Sequence, residues 1–429
     1  MRPGASLVSG MVLAVSVLSV SPAAGAQETV IRGTIEYQLG YGFTEEDVTR
    51  NRLAYEIDVE RELGFDGKIH VGWDGNVTYR PEGLPSELEL DEAYVDLYLD
   101  AADLRIGRQV INWGTADGFN PTNVINPPRP LSEALYSLSV DALSGTPVPA
   151  VQWAYYLPSG ASVTAVGIAK YVPASDAHEM LGAAASEVGA AMGTGPLPVV
   201  EPSPVPADGS QLEFALRGEK LVAGHNVYVT YFRGWDDYPA AWLEYESSPV
   251  GPVPNKVVAA YRKVQKFGVA TAGTLAGAGV WTEISYTVPD RAAALDNPGA
   301  LASNEAYVEA VVGADYTFSS GVTVSGQVMY YGGGSLLSPY KPPFQDVAPQ
   351  TYFAGTARYS PRPGHELEGF ALVNLGDGGV IAVGRYTYDI NQVMSLAIGL
   401  SQVFAGAGAE FKQAEAMANM LTIEISASF

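Results

Sequence analysis

Cysteine is absent from all 429 residues, which excludes thiolate metal sites, disulfide scaffolding and cysteine nucleophiles together. Long apolar runs are missing too, because no stretch beyond residue 20 approaches the ~20 apolar residues that a spanning helix needs. Positive charge is scarce. The 24 Lys and Arg face 47 Asp and Glu, a formal net charge of −23, and such a chain repels polyanions, so nucleic acid is not an expected partner. Histidine occurs four times, at positions 70, 178, 225 and 365, with no pair at the i, i+4 spacing of a helical metal site. None of these His residues lies in a Ser/His motif, and no Gly-x-Ser-x-Gly elbow is present. The glycine runs at 332–334 and 376–379 lack the Lys-Ser/Thr of a phosphate loop. The expectation is therefore no enzyme, no metal and no cofactor.

What is abundant points elsewhere. Hydrophobic residues make up 47% of the chain and charged ones only 17%, with 47 Gly and 25 Tyr, a balance too apolar for disorder. At the N-terminus, Met1 and Arg2 precede an apolar stretch from Leu7 to Val20. Ala24-Gly25-Ala26 then presents small residues where a signal peptidase would cut. Residues 1–26 read as a cleaved signal peptide, with Gln27 as the mature start and export as the consequence.

From there the sequence alternates apolar and polar residues over stretches of about ten, the strand period and, repeated this often, the mark of a membrane barrel. At the C-terminus Leu421, Ile423, Ile425, Ala427 and Phe429 share one face while Thr422, Glu424, Ser426 and Ser428 share the other. Phe429 is read as an aromatic assembly signal at the lipid interface. Connections sort into two alternating classes. Short turns rich in Gly, Pro, Asn, Asp and Ser fall near 64–67, 100–103, 158–160, 221–224, 277–279, 319–321, 361–364 and 390–392. Longer loops lie at 41–50, 80–88, 113–148, 173–209, 236–263, 289–304, 333–349, 374–379 and 405–419. Eight turns and nine loops divide residues 27–429 into about 18 strands of one all-β, transmembrane antiparallel barrel, with short periplasmic turns and long external loops.

Following the alternation sends ionisable residues inward. The acids are Glu36, Glu56, Asp58, Glu60, Asp74, Glu92, Asp96, Glu213, Glu283, Glu309, Asp315 and Glu424. The bases are Arg32, Arg52, Arg105, Arg217, Arg358 and Arg385, joined by His70. At this strand number wall side chains do not fill the bore, so an aqueous channel is expected. Pairing across strands is the competing role for any one of these charges. Taken as a set, the census predicts a net acidic lumen with a weak preference for cations. Carboxylates at Glu56, Asp58, Asp74, Glu92 and Asp96 are expected to face Arg358 and Arg385 across it.

One run stands out: Gly107-Arg108-Gln109-Val110-Ile111-Asn112-Trp113-Gly114, followed by Phe119-Asn120-Pro121-Thr122-Asn123-Val124-Ile125-Asn126-Pro127-Pro128. It is a strand end followed by two Asn-Pro turns and stiff proline segments, suited to a loop held in one shape. Here the chain resembles porin-like barrels of the alginate-export type, which implies an 18-stranded outer-membrane barrel. A polyanion exporter would carry a basic bore, and this census is acidic.

Candidate constrictions are the loops at 113–148 and 173–209, the second with a helix-prone stretch from Ala177 to Met192 followed by Pro196, Pro198, Pro202, Pro204 and Pro206. A further helix is expected near Asn255 to Lys263, with Val257, Val258 and Tyr261 spaced to pack on a neighbour. The function that follows is passive passage of small polar solutes through the outer membrane of a double-membrane bacterium. Lipid and the barrel-assembly machinery are the expected partners. A non-conducting adhesin or scaffold barrel and a polymer (polysaccharide) exporter are the alternatives.

Overall fold

The computed structural model describes residues 29–64, 66–80, 83–130, 145–206, 208–249, 251–341 and 348–429. The leader and Gln27 lie outside the described residues, as do parts of the loops expected at 80–88, 113–148, 173–209, 236–263 and 333–349 and of the turn expected at 64–67.

In chain order the first strands are β1 (Thr29–Gly42), β2 (Asp47–Glu62), β3 (Gly67–Thr78), β4 (Ser86–Leu99), β5 (Ala102–Gln109), β6 (Val148–Tyr156) and β7 (Ala161–Ile168). Helix α1 (Ala177–Ala191) comes next, then β8 (Val199–Val200), β9 (Glu213–Val222), β10 (His225–Trp235), β11 (Ala240–Ser248), β12 (Gly251–Ala260), β13 (Lys263–Leu275) and β14 (Ala278–Pro289). The last are β15 (Tyr307–Thr317), β16 (Val322–Tyr331), β17 (Gln350–Arg362), β18 (His365–Asn374), β19 (Val380–Asp389), β20 (Met394–Phe404), the short helix α2 (Glu415–Ala418) and β21 (Met420–Ser428).

All strands except β8, β11 and β12 belong to one 18-stranded sheet. Neighbours pair antiparallel, and β21 returns to β1 in a register running from Thr34↔Ser428 to Gly42↔Met420. The ring therefore has no edge, which is how a sheet satisfies its backbone groups where no water can. Outward rows such as Leu421, Ile423 and Ile425 are exposed, while Thr422 and Glu424 between them are buried. The alternation read from the sequence is thus the alternation of the wall.

Turn chemistry explains the short connections. Ala223 and Gly224, like Ala276 and Gly277, all have positive φ, the geometry of two-residue hairpins whose twist matches that of the strands they join. The expected turns fall between the observed strands. So do the expected loops, but three of those also carry structure beyond the wall. Strands β11 and β12 form a hairpin, β8 adds to β12 in parallel, and α1 packs Leu181, Ala185 and Val188 against Leu243, Val257 and Ala259 of that sheet.

The expected helix near Asn255 to Lys263 is not formed. Residues 255–260 belong to β12, and β13 starts at Lys263. Pro252 and Pro254 oppose a helix just upstream, and Val253, Val257 and Val258 are β-branched, so the segment pairs with β11 instead. Val257 still packs in a core, by strand alternation rather than helical spacing.

Candidate functional site

The third long connection, between β5 and β6, turns into the ring. Its residues reach β14 and β16, strands far round the wall from the β5–β6 pair it joins, and that path crosses the interior. One carboxylate organises the crossing. Glu283 of β14 is fully buried and accepts hydrogen bonds from the backbone N–H and hydroxyl of Thr115, from the N–H of Ala116 (2.7 Å), and from the N–H and hydroxyl of Thr122 (3.0 and 2.8 Å). Beside it, the Gln327 amide donates to the Asp117 carbonyl at 2.7 Å and accepts from the Asp117 N–H at 3.2 Å.

The Gly-Arg-Gln…Asn-Pro run supplies the rest of the hold. Asn126 accepts from the Ile111 N–H at 2.7 Å and donates to the carbonyls of Gln109 and Thr146 at 3.1 and 2.8 Å. Gly107 has a φ of +142°, and a Cβ there would stand 2.1 Å from the Ala93 carbonyl oxygen. Only glycine allows that approach. Apolar residues of the same run, Ile111, Trp113, Val124 and Ile125, pack on Val166, Ala215 and Phe232 of the inner wall, while Phe119 joins Trp281, Met329 and Tyr352 on the far side. The last loop, 405–419, is tied in the same way. Glu410 accepts from the Tyr352 hydroxyl (2.6 Å), the Asn374 amide (2.8 Å) and the N–H groups of Leu336 and Leu337 (2.9 and 3.0 Å).

The charges singled out from the sequence form local groups. On β1 to β5, Arg32 lies 3.6 Å from Glu60, and Lys68 lies 3.1 Å from the same carboxylate. His70 stands 3.3 Å from Asp58 and stacks on Tyr94. Arg105 grips Asp96 with two hydrogen bonds of 2.6 and 3.0 Å and lies over the same Tyr94 ring, 4.0 Å from its centroid. Glu92 accepts from the Val110 N–H at 2.6 Å, at the root of the inward loop. Glu56 and Asp74 share the field of Asp91 and of Arg129 from that loop.

Across the β21–β1 seam, Arg385 pairs with Glu424 at 2.6 Å, and Gln38 links Glu424 to Glu36. Arg358 pairs with Glu368 at 2.9 Å. Arg217 is held by aromatics instead, 4.0 Å from the Tyr228 ring and 5.8 Å from that of Trp113. The buried Arg52 Nε finds no hydrogen-bond partner among the described residues. Phe429 exchanges two backbone hydrogen bonds with Gly33, of 2.9 and 3.0 Å, and is exposed.

Above the inward loop, the long-loop end encloses a cavity of about 970 Å³ lined by segments of six loops and the ends of the wall strands. Sequence reasoning missed this vestibule, because its parts are scattered from Gly118 to Met417. Seven carboxylates and four bases line it. Arg262 lies 3.6 Å from Asp236, and Lys266 lies 3.8 Å from Asp237. Burial pushes the Asp237 carboxyl up to about 6, with Lys266 pulling against the rise and Asp236 adding to it. Burial also raises Asp176, against the hydrogen bond it accepts from the Tyr238 hydroxyl at 2.9 Å.

Known structures are similar to this chain at low identity. OccD3 (OpdP) of Pseudomonas aeruginosa is 8% identical with a TM-score of 0.50 over 95% of this chain and 93% of its own. OccAB2 of Acinetobacter baumannii is 8% identical with a TM-score of 0.50 over 94% and 98%. OmpF of Salmonella typhi, solved in complex with daunomycin, is 10% identical with a TM-score of 0.48 over 94% and 98%. The two likenesses at a TM-score of 0.50 concern the fold alone, an all-β, 18-stranded closed antiparallel barrel resembling outer-membrane porins. No curated protein matches the chain. A family model described as "Protein of unknown function (DUF1302)" matches residues 84–359, a span that runs from the start of β4 through the inward loop and the vestibule segments into β17, and the chain belongs to that family.

Proposed function

We propose that the chain is an outer-membrane channel for passive passage of small polar solutes, with a weak preference for cations. The observation that carries this reading is a closed 18-stranded ring, apolar outside, whose inner face bears charge and is narrowed by a loop latched across it through Glu283 and Gln327 and packed on the inner wall. An exposed band of Leu, Ile, Val and aromatic side chains suits lipid contact, and an exported chain with a cleaved leader would reach that membrane through the barrel-assembly machinery. Inner carboxylates outnumber bases, and those at Glu56 and Asp74 crowd near Asp91 with Arg129 as their nearby base. Charges on a narrow wall escape the screening that bulk salt applies over ~8–10 Å, so they set selectivity.

The likeness of the 107–128 run to alginate-export barrels makes polymer export the second reading. A net acidic interior opposes a polyanionic cargo and leaves the channel reading ahead. The test is planar-bilayer recording under a salt gradient. Wild type is expected to conduct with a cation-preferring reversal potential, and Glu56→Gln with Asp74→Asn to lose part of that preference. A folded barrel that never opens sinks the channel reading in favour of a scaffold, and an anion-preferring wild type sinks the selectivity.

A further inference from the structure

Helix α1 presents two different faces. Leu181, Ala185 and Val188 are buried against the small loop sheet. The other side, with Asp176 at its cap followed by Glu179, Met180, Ala183 and Glu187 at i, i+3, i+4, i+7 and i+11 spacing, lines the vestibule. An amphipathic helix with its polar side toward an enclosed space presents charge to whatever enters.

Most charges of the cavity are already engaged. Arg262 and Lys266 face Asp236 and Asp237, and Arg129 lies 3.1 Å from Asp91. Asp176 accepts from Tyr238, and Glu309 from the Ser285 hydroxyl at 3.3 Å. The carboxylates of Glu179, Glu187 and Glu305 have no ion-pair or hydrogen-bond partner among the described residues, and Lys341 is the remaining base of the lining. The uncommitted charge is negative. The same cavity is lined by Phe119, Tyr331, Leu336, Leu337, Met180 and Met417. Methionine adapts its shape to varied apolar groups, and a volume of about 970 Å³ lies at the upper end of the ~300–1,000 Å³ usual for small-molecule sites.

Each simpler occupant leaves part of this lining unmatched. An inorganic cation would leave the aromatic and aliphatic surface wet. A neutral apolar solute would strip water from three carboxylates without replacing it, which is costly. An organic carboxylate would meet like charge. We propose that the vestibule is a binding site for amphiphilic organic cations, molecules with an aromatic or aliphatic body seated on Phe119, Leu336, Leu337 and the methionines and an ammonium group directed at one of the carboxylates Glu179, Glu187 and Glu305 that line the same cavity. The proposal rests on the channel reading for its place in transport, in which the cavity is the first station of an entering solute, but binding itself needs no open pore.

The test uses the purified full-length barrel in detergent and two fluorescent probes with the same naphthalene body. Dansylcadaverine carries an ammonium, and dansyl-6-aminohexanoate a carboxylate. Dansylcadaverine is expected to bind saturably above the signal of empty micelles, and the carboxylate probe not to. Glu179→Gln, Glu187→Gln and Glu305→Gln combined should weaken the cation by about tenfold, because the triple variant removes every uncommitted carboxylate that an ammonium in the cavity could meet. All three residues are exposed, and the compact unheated species on a detergent gel checks that the variant folds. Independently of any variant, added salt should weaken binding of dansylcadaverine to the wild type. Equal binding of both probes, an unchanged triple variant, salt-insensitive binding, or a cation signal no larger than that of micelles would overturn the proposal. Binding without conductance would keep the site and sink the channel, and conductance without binding would do the reverse.

Discussion

Glu283 shows how one side chain sets the shape of a long loop. Its carboxylate receives donors from both sides of the first Asn-Pro turn, from Thr115 and Ala116 before it and from Thr122 after it. A truncation leaves several buried N–H and O–H groups unpaired, at about 1–3 kcal/mol for each that water cannot reach. Glu283→Ala should therefore release the loop while the wall, held by its own ladder, stays closed. The expected result is a larger and noisier conductance with an unchanged share of compact species on a detergent gel. A variant indistinguishable from wild type would mean that Gln327, Asn126 and the apolar anchors hold the loop without it.

Among the elements, α1 and the hairpin of β11 and β12 belong to the loops yet have a core of their own, with Leu181, Leu243, Val257, Leu301 and Tyr340 at its centre. Wall pairing runs independently of it, because β9 pairs with β7 and β10 without help from the loop. Replacing residues 177–206 by a short Gly-Ser linker should leave the barrel folded and raise conductance by removing one side of the vestibule. Unchanged conductance would place α1 outside the solute path. The same region carries a pH response. Asp237 titrates near 6 because burial disfavours its charged form, so a vestibule that is more negative above that pH gains a carboxylate as pH rises through it. Cation preference, read from reversal potentials, should be stronger at neutral pH than in mild acid. Asp237→Asn should flatten that dependence, and a preference that strengthens in acid would contradict the assignment.

For the whole molecule the decisive event is closure. The seam between β21 and β1 joins residues almost 400 positions apart in sequence, as the Thr34↔Ser428 pair shows. Its last rung is the pair of backbone hydrogen bonds between Phe429 and Gly33. Gly33 leaves room for the ring, since a Cβ there would meet three Phe429 ring carbons at 2.3 to 2.9 Å. Deleting Phe429 takes away that rung and an interfacial aromatic together. A lower fraction of compact, unheated protein is expected on a detergent gel. An equal fraction in the deletion variant would count against Phe429 as an assembly signal.

Strand number, turn positions and the two faces of the wall were legible in the sequence because they are local. A period of two places Ile423 and Glu424 on opposite sides whatever surrounds them, and pairs such as Ala223-Gly224 reverse the chain by their own backbone angles. Residues 255–260 were misread because a short apolar run with mixed spacing suits helix and strand alike, and only the partner β11 decides. The vestibule and the latches lie beyond local reading for a stronger reason. Glu283 was one inward carboxylate among many in the sequence, and nothing near it marks Thr115 and Thr122 as its partners, 168 and 161 residues away. Those contacts exist because ring closure sets the far wall within reach of a loop stiffened by its prolines. Periodicity determined the wall, and the closed tertiary structure alone decided what its interior holds.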